Sequence, residues 1–331
     1  MATIESKSGL ALKVYAETLA AFERKNVFMD LVTKQTIKNG NTAQFIINGR
    51  GTESTIDTAT GLPAGVAGAV GGEVQTHTLG GNQRDGASQM NITERTILTE
   101  RPIYVRKQLD NYEEKMAHYN IRSMITGQNG STMANFIDRR IVVEFNKAFS
   151  ATNYPATATQ YAAGGIYNAA IGAGATAEAK GDAILESIFG AASILDGKDQ
   201  IGSQRYFVTN NTNYYNLLMS QKAINRDFNA GDNGSIAKGN IFTIGDVMIL
   251  RSNNLVGSLL GNLLGTSGLG QTLSGIMFTK DVIGLVEMMG LQTKEWFDDD
   301  YDQTVMKVQL AAGYGVLNPG SLVGITTGTA N

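Results

Sequence analysis

Gln309-Leu310-Ala311-Ala312-Gly313-Tyr314-Gly315-Val316-Leu317-Asn318-Pro319-Gly320-Ser321-Leu322-Val323-Gly324-Ile325 lies near the C-terminal end of the chain. It reads as a strand, a glycine-flanked aromatic turn, a proline and a closing strand. The apolar runs on either side carry the strand signal, and the glycines and proline punctuate them.

Around this ending the composition is poor in charge. Of 331 residues, 42% are hydrophobic and 17% charged, against about 25% charged in an average globular domain. That length suffices for two domains, each with its own core. Few charges among many Gly, Ala, Thr and Asn residues suit a surface covered mostly by copies of itself, or a glycine-rich β protein. The chain has no cysteine, which excludes thiolate metal sites, disulfides and cysteine nucleophiles. Met1 to Gly9 lack an apolar leader core, so a cytoplasmic place of synthesis and assembly is expected. The most apolar window, Leu255 to Leu264, is too short to span a bilayer, and no membrane role is predicted. Net charge is −3, with an excess of bases in residues 1–50 and of acids in 290–331. No concentrated basic run is present, which argues against a reader of nucleic-acid sequence.

The periodicity of 10–25 predicts an amphipathic helix with Leu12, Tyr15, Ala16, Leu19 and Phe22 on one face. Its apolar stripe must pack on its own domain or on a neighbour. A strand is expected at Thr42 to Asn48 and another from Gln89 to Lys107. Between them, 51–87 is rich in Gly, Thr and Ala and holds too few large apolar residues to fold alone. Together they make a long hairpin arm that needs a surface to lean on. Asn111 to Ser150 reads as a long helix through Met133, Ile137, Ile141, Phe145 and Phe149, bent or broken near Gly127 and Gly130. Asp138 and Glu144 are placed away from that stripe. The Ala/Gly/Thr-rich stretch at 154–180 is expected to be a linker or surface loop, and after it Asp182 is expected to cap a helix that ends at Gly197. Strands at 205–209, 246–251, 276–279 and 283–288, with a helix near 212–222, point to an α+β fold.

Catalytic motifs are scarce. Gly172-Ala173-Gly174-Ala175-Thr176-Ala177 spells a loose dinucleotide fingerprint with Asp196 about twenty residues on. The helix, however, is expected only after Asp182, and chance matches abound among 39 glycines. His77 and His118 are the only histidines and fall on different elements, too few for a triad or a histidine metal site. Glu295, Asp298, Asp299, Asp300 and Asp302 surround Trp296, Phe297 and Tyr301. They read as a solvated acidic turn, or one facing a basic neighbour, and lack the glycine and distal Glu of an EF-hand loop. The sequons at Asn91, Asn129, Asn210 and Asn233 carry no weight without a secretion signal. No catalytic residue, cofactor or metal ligand is assigned.

The order of elements resembles the HK97-like fold of tailed-phage major capsid proteins, closest to short-tailed podophages of the autographivirus group. The residues that carry the likeness are Ala43-Gln44-Phe45 with Gly49-Arg50, His118-Tyr119-Asn120-Ile121-Arg122-Ser123, Thr279-Lys280-Asp281-Val282-Ile283-Gly284-Leu285, and the Gly-Tyr-Gly-Val ending. The family often has Arg before the late proline and Glu after it, where this chain has Asn318 and Gly320. The resemblance implies an N-terminal arm over 1–45, an E-loop hairpin with its flanking strands over 46–107, and a peripheral domain with a spine helix over 108–160. It further implies an axial domain over 161–289 and a return to the peripheral sheet over 290–331. Implied partners are further copies in pentamers and hexamers, a scaffolding protein, a portal protein, and enclosed double-stranded DNA held weakly. Leu12, Leu19, Phe22, Leu62, Arg84 and Asp85 are the candidate intersubunit contacts. A tail tube subunit and a nucleotide-binding enzyme are the competing readings, and the long spine helix favours the capsid over the tube.

Overall fold

Met133, Ile137, Ile141 and Phe145 are almost wholly buried along one helix, α3 (Ile121–Phe149), in the computed structural model. The structure describes residues 4–48, 92–116, 121–149, 164–169, 175–198, 200, 204–220, 234–235, 240–241, 243–255 and 272–327. At 1.5 Å per residue α3 is roughly 44 Å long. It does not break at Gly127 or Gly130. Gly130 instead admits α1 (Ile4–Lys25), because a Cβ there would lie 2.4 Å from the Thr18 carbonyl oxygen. The N-terminal helix therefore packs on its own subunit, with Val14, Thr18 and Phe22 buried. Gly130→Ala should gain about 1 kcal/mol of helix propensity yet force two backbones apart. A net loss of about 1–2 kcal/mol is expected, measurable by chemical denaturation.

Four strands build the sheet beneath α3. The order is β1 (Thr33–Thr36), β12 (Ile283–Asp298), β13 (Gln303–Val316) and β4 (Ile103–Asp110), with β1 parallel to β12 and the others antiparallel. Val308 and Leu310, with the half-buried Ile103 and Val105, belong to the α3 core. The short helix α2 (Asn111–Met116) follows β4, and the described residues of the 111–150 region fall on α2 and α3. Residues 117–120, including His118, lie outside the described residues.

The predicted strand 89–107 is interrupted. β2 (Thr42–Asn48) pairs antiparallel with β3 (Ile92–Leu98) in a separate ribbon, and β4 starts only after Pro102. Between them the Thr99 N–H donates to the Asn41 carbonyl at 2.8 Å and the Glu100 N–H to the Ala312 carbonyl at 3.3 Å. The chain thereby changes sheets at the base of the arm.

A second sheet has the order β5 (Gly165–Ala169), β14 (Leu322–Thr327), β11 (Thr272–Phe278), β6 (Arg205–Thr209), β10 (Val247–Arg251) and β9 (Thr243–Ile244). The two-residue strands β7 (Gly234–Ser235) and β8 (Asn240–Ile241) pair apart from it. All five residues of β6 are buried, since its side chains alternate between two cores. Tyr206 and Val208 join Phe28, Phe145 and Phe278 on the α3 side, where Phe145 and Phe278 ring centroids are 4.6 Å apart. Phe207 joins Ile184, Ile188 and Leu217 of α4 (Ala177–Gly197) and α5 (Asn211–Met219) on the other. Burial on both faces is why these strands read as continuous apolar runs.

Three local expectations are corrected. The 154–180 stretch, expected as a linker or surface loop, contains β5 and the start of α4. Thr176, not Asp182, caps α4 by accepting the Ala179 N–H. Asp182 lies inside the helix and accepts the Ser220 hydroxyl at 2.5 Å. The Gly313-Tyr314-Gly315 segment is strand rather than turn, and the reversal occurs at 317–321. There Asn318 accepts the Gly320 N–H at 3.1 Å and donates to Ser321 Oγ at 2.8 Å and Asp281 Oδ2 at 3.2 Å. That turn carries the chain from the first sheet to the second, so 290–331 serves both sheets and not one.

Candidate intersubunit surfaces

The arm is rooted in a socket of small residues. Ile97 is buried with Ala43, Val286 and Leu317. Its side chain fills the space a Cβ would need at Gly284 and Gly315, with contacts of 2.7 and 2.8 Å. At Gly313 the obstacle is backbone: a Cβ would lie 2.2 Å from the Leu98 carbonyl oxygen. The Gly-Tyr-Gly of the C-terminal strand is thus the floor on which the arm's return strand rests. Arg140 of α3 pairs with Glu100 at the same root, approaches the Glu144 carboxylate at 3.5 Å, and lies 5.9 Å over the Tyr314 ring. The hydrogen bond to Glu100 raises the Arg140 pKa, and burial raises that of the Tyr314 phenol well above its usual value. Both groups keep their neutral-pH charge states. Arg140→Ala removes a half-exposed pair, so a stability loss of only about 1 kcal/mol is expected. Faster amide exchange at Thr99 and Glu100 would register the loosened root.

Asp138 fixes where α1 ends. The sequence placed it off the buried stripe, but it is fully buried, because α3 is covered on more than one side. Its carboxylate accepts the Val27 N–H at 3.2 and 3.3 Å, the Phe28 N–H at 3.3 Å and the Asn254 amide at 3.3 Å. Burial pushes its pKa up to about 6, against the opposing pull of those backbone donors. Glu144 is likewise buried, beside Lys147 at 2.7 Å.

Between α1 and the first sheet lies a groove of about 470 Å³, lined among others by Tyr15, Leu19, Phe22, Glu23, Glu287 and Leu291. Leu19 and Phe22 both line it, but Phe22 is only 6% exposed and serves mainly the core. Leu12 lies on α1, while Leu62, Arg84, Asp85 and His77 fall outside the described residues.

The remaining motifs resolve as follows. A strand, β5, precedes the glycine-rich fingerprint and α4 starts at its last residue, closer to a nucleotide loop than the sequence indicated. Yet Asp196, the expected ribose ligand, is paired with Arg205, and β5 is an edge strand. Gly172 and Gly174 lie outside the described residues. In the acidic turn, Asp302 adopts a positive φ of 47° and accepts the Asn111 amide at 3.1 Å. No three carboxylates converge on a metal-sized site among the described residues. No helix among them is long and apolar enough to cross a membrane.

The arm socket was missed because glycine reads as a turn residue in a sequence. The only available signal was three glycines interrupting otherwise apolar strands, a pattern that marks close backbone approach.

The whole architecture is similar to capsid subunits of known structure. The capsid of cyanophage P-SCSP1u matches with a TM-score of 0.68 at 23% identity, over 92% of this chain and 89% of that one. The mature capsid of bacteriophage PhiM1 matches at 0.66 and 16% identity, over 92% and 88%. A virus-like particle from Pyrococcus furiosus matches at 0.51 and 12% identity, over 96% and 99%. No curated relative matches. The fold is therefore HK97-like, α+β with a projecting arm. The model of the Gp10A-like family, described as major capsid protein, matches residues 69–325, so this chain belongs to that family and is a major capsid protein, the subunit of an icosahedral phage shell.

Proposed function

We propose that the chain builds pentamers and hexamers around a scaffolding protein and a portal in the bacterial cytoplasm, encloses double-stranded DNA, and expands on maturation. The phage is read as a short-tailed one of the autographivirus group. In this reading 1–45 is the N-terminal arm and 46–107 the E-loop with its flanking strands. The peripheral domain takes 108–160 and 290–331, except that β14 at its end joins the sheet of the axial domain, and the axial domain takes 161–289. Leu12, Leu62, Arg84 and Asp85 meet neighbouring subunits, with Leu19 at the α1 groove. The chain catalyses nothing and needs no cofactor.

The observation that carries this reading is the two-stranded ribbon β2–β3, whose described residues are seated on the body at its root. Ile46 on the shaft of β2 is 72% exposed, and a two-stranded ribbon by itself is only marginally stable in water. A firm root and an uncovered shaft are what an element needs to lie across a neighbour and change its partner when the shell is reshaped. The test is electron microscopy of the protein expressed with and without a scaffolding protein. Closed shells of hexamers and pentamers are expected. A small monodisperse particle under every condition would overturn the reading.

A further inference from the structure

The antiparallel register of the first sheet sets three cations side by side. Lys294 of β12 is directly opposite Lys307 of β13, which is directly opposite Arg106 of β4. Directly paired residues share a face, and like charges placed so are destabilising. Among the described residues none of the three makes an ion pair. Each of two instead lies over an aromatic ring: Lys307 is 4.7 Å from the Tyr104 centroid and Arg106 5.5 Å from that of Trp296. Tyr104 and Trp296 are themselves 62% and 39% exposed. On the opposite face of the same sheet Glu295 is paired, with Arg122 of α3 bonding it at 2.7 Å and Glu114 of α2 at 2.6 Å.

Carboxylates stand at the tip of the same hairpin. Asp298 is four residues from Lys294 on the same face, roughly 13 Å at strand rise, and Asp299 and Asp300 lie farther still. That exceeds a Debye length of about 10 Å at moderate salt, so tip and row do not neutralise each other within one chain. The tip also presents Tyr301, 73% exposed.

We propose that the cationic row of one subunit receives the acidic tip, residues 298–302, of a second copy. Carboxylates would face Lys294, Lys307 and Arg106, and Tyr301 would pack beside Tyr104 and Trp296. The contact is head-to-tail, the kind that closes into rings or continues around a surface. The inference rests on the shell-forming role above, and a second copy is favoured over DNA because row and complement occur on one chain of a self-associating protein. Three cations without a basic run form a small footprint for a duplex.

The test uses the full chain under conditions where wild type forms shells; absence of wild-type shells would count against the functional reading itself. The pairs Lys294→Glu with Lys307→Glu, and Asp299→Lys with Asp300→Lys, are each expected to lower shell yield about tenfold. Combining all four should restore it. Because the chain has no cysteine, Lys307→Cys with Asp299→Cys offers a second readout on folded shells. Their separation within one chain exceeds disulfide reach, so oxidation should give covalent oligomers. Wild-type yield for either pair, absence of rescue by the combination, or absence of crosslinks in assembled shells would overturn the proposal. So would loss of retained DNA with shell yield unchanged, which would assign the row to nucleic acid.

Discussion

Gly313→Val abolishes the seat of the arm and, with it, assembly. The added Cβ alone would stand 2.2 Å from the Leu98 carbonyl oxygen and 3.0 Å from Thr99 Cα. These are backbone atoms and cannot rotate away as a side chain could. They belong to the segment where Thr99 and Glu100 hydrogen-bond Asn41 and Ala312, so relief requires the arm to lift from β13. Overpacking of a buried site costs about 1–3 kcal/mol and more when only backbone can yield; a loss of about 3 kcal/mol or more is expected here. Soluble, helical protein that no longer forms shells with its scaffolding partner is the expected product, read by circular dichroism and sedimentation. Shells at wild-type yield would show that the socket is not needed to aim the arm. Gly315→Ala should be milder, because its neighbour is the Ile97 side chain, which can adjust.

Asp138→Ala is expected to destabilise the subunit by about 3 kcal/mol at neutral pH. It strands the Val27 and Phe28 N–H groups and the Asn254 amide in a buried site, and each unsatisfied group costs about 1–3 kcal/mol. The gain from no longer burying a carboxylate offsets part of that. The pH dependence separates the two contributions. In the folded chain the Asp138 pKa is raised from 3.8 to about 6, so the native state holds this proton more tightly than the unfolded state. The contribution of this group to stability therefore falls as pH rises from about 4 through about 6, levels off about one unit higher, and is constant beyond that window. The full difference amounts to about 3 kcal/mol. Asp138→Asn keeps the shape and should remove that slope. The difference in unfolding free energy between wild type and the Asp138→Asn variant should therefore change between about pH 4 and 7 and stay flat above about 7. A parallel pair of profiles would mean that the carboxylate titrates normally.

The sequence carried the fold well where one face of an element decides its burial. Met133, Ile137, Ile141 and Phe145 foretold α3, and β2 runs over Thr42–Asn48 as expected. It misread residues whose surroundings come from distant segments. Gly130 and Gly313 looked like breaks because glycine weakens helices and strands taken alone. Asp138 looked solvated because its partners lie more than 100 residues away. The cation row is equally invisible along the chain, since Arg106, Lys294 and Lys307 meet only through strand register.

Local pattern alone determined the type and order of the main helices and of strands such as β2, the absence of cysteine chemistry and the family resemblance, because hydrophobic period and turn residues act over a few positions. Tertiary structure alone decided that α1 lies on its own spine helix, that one sheet is shared by two cores, and where the arm is seated. Those outcomes depend on backbone approach, burial and cross-strand register, which arise only when segments far apart in sequence occupy the same volume.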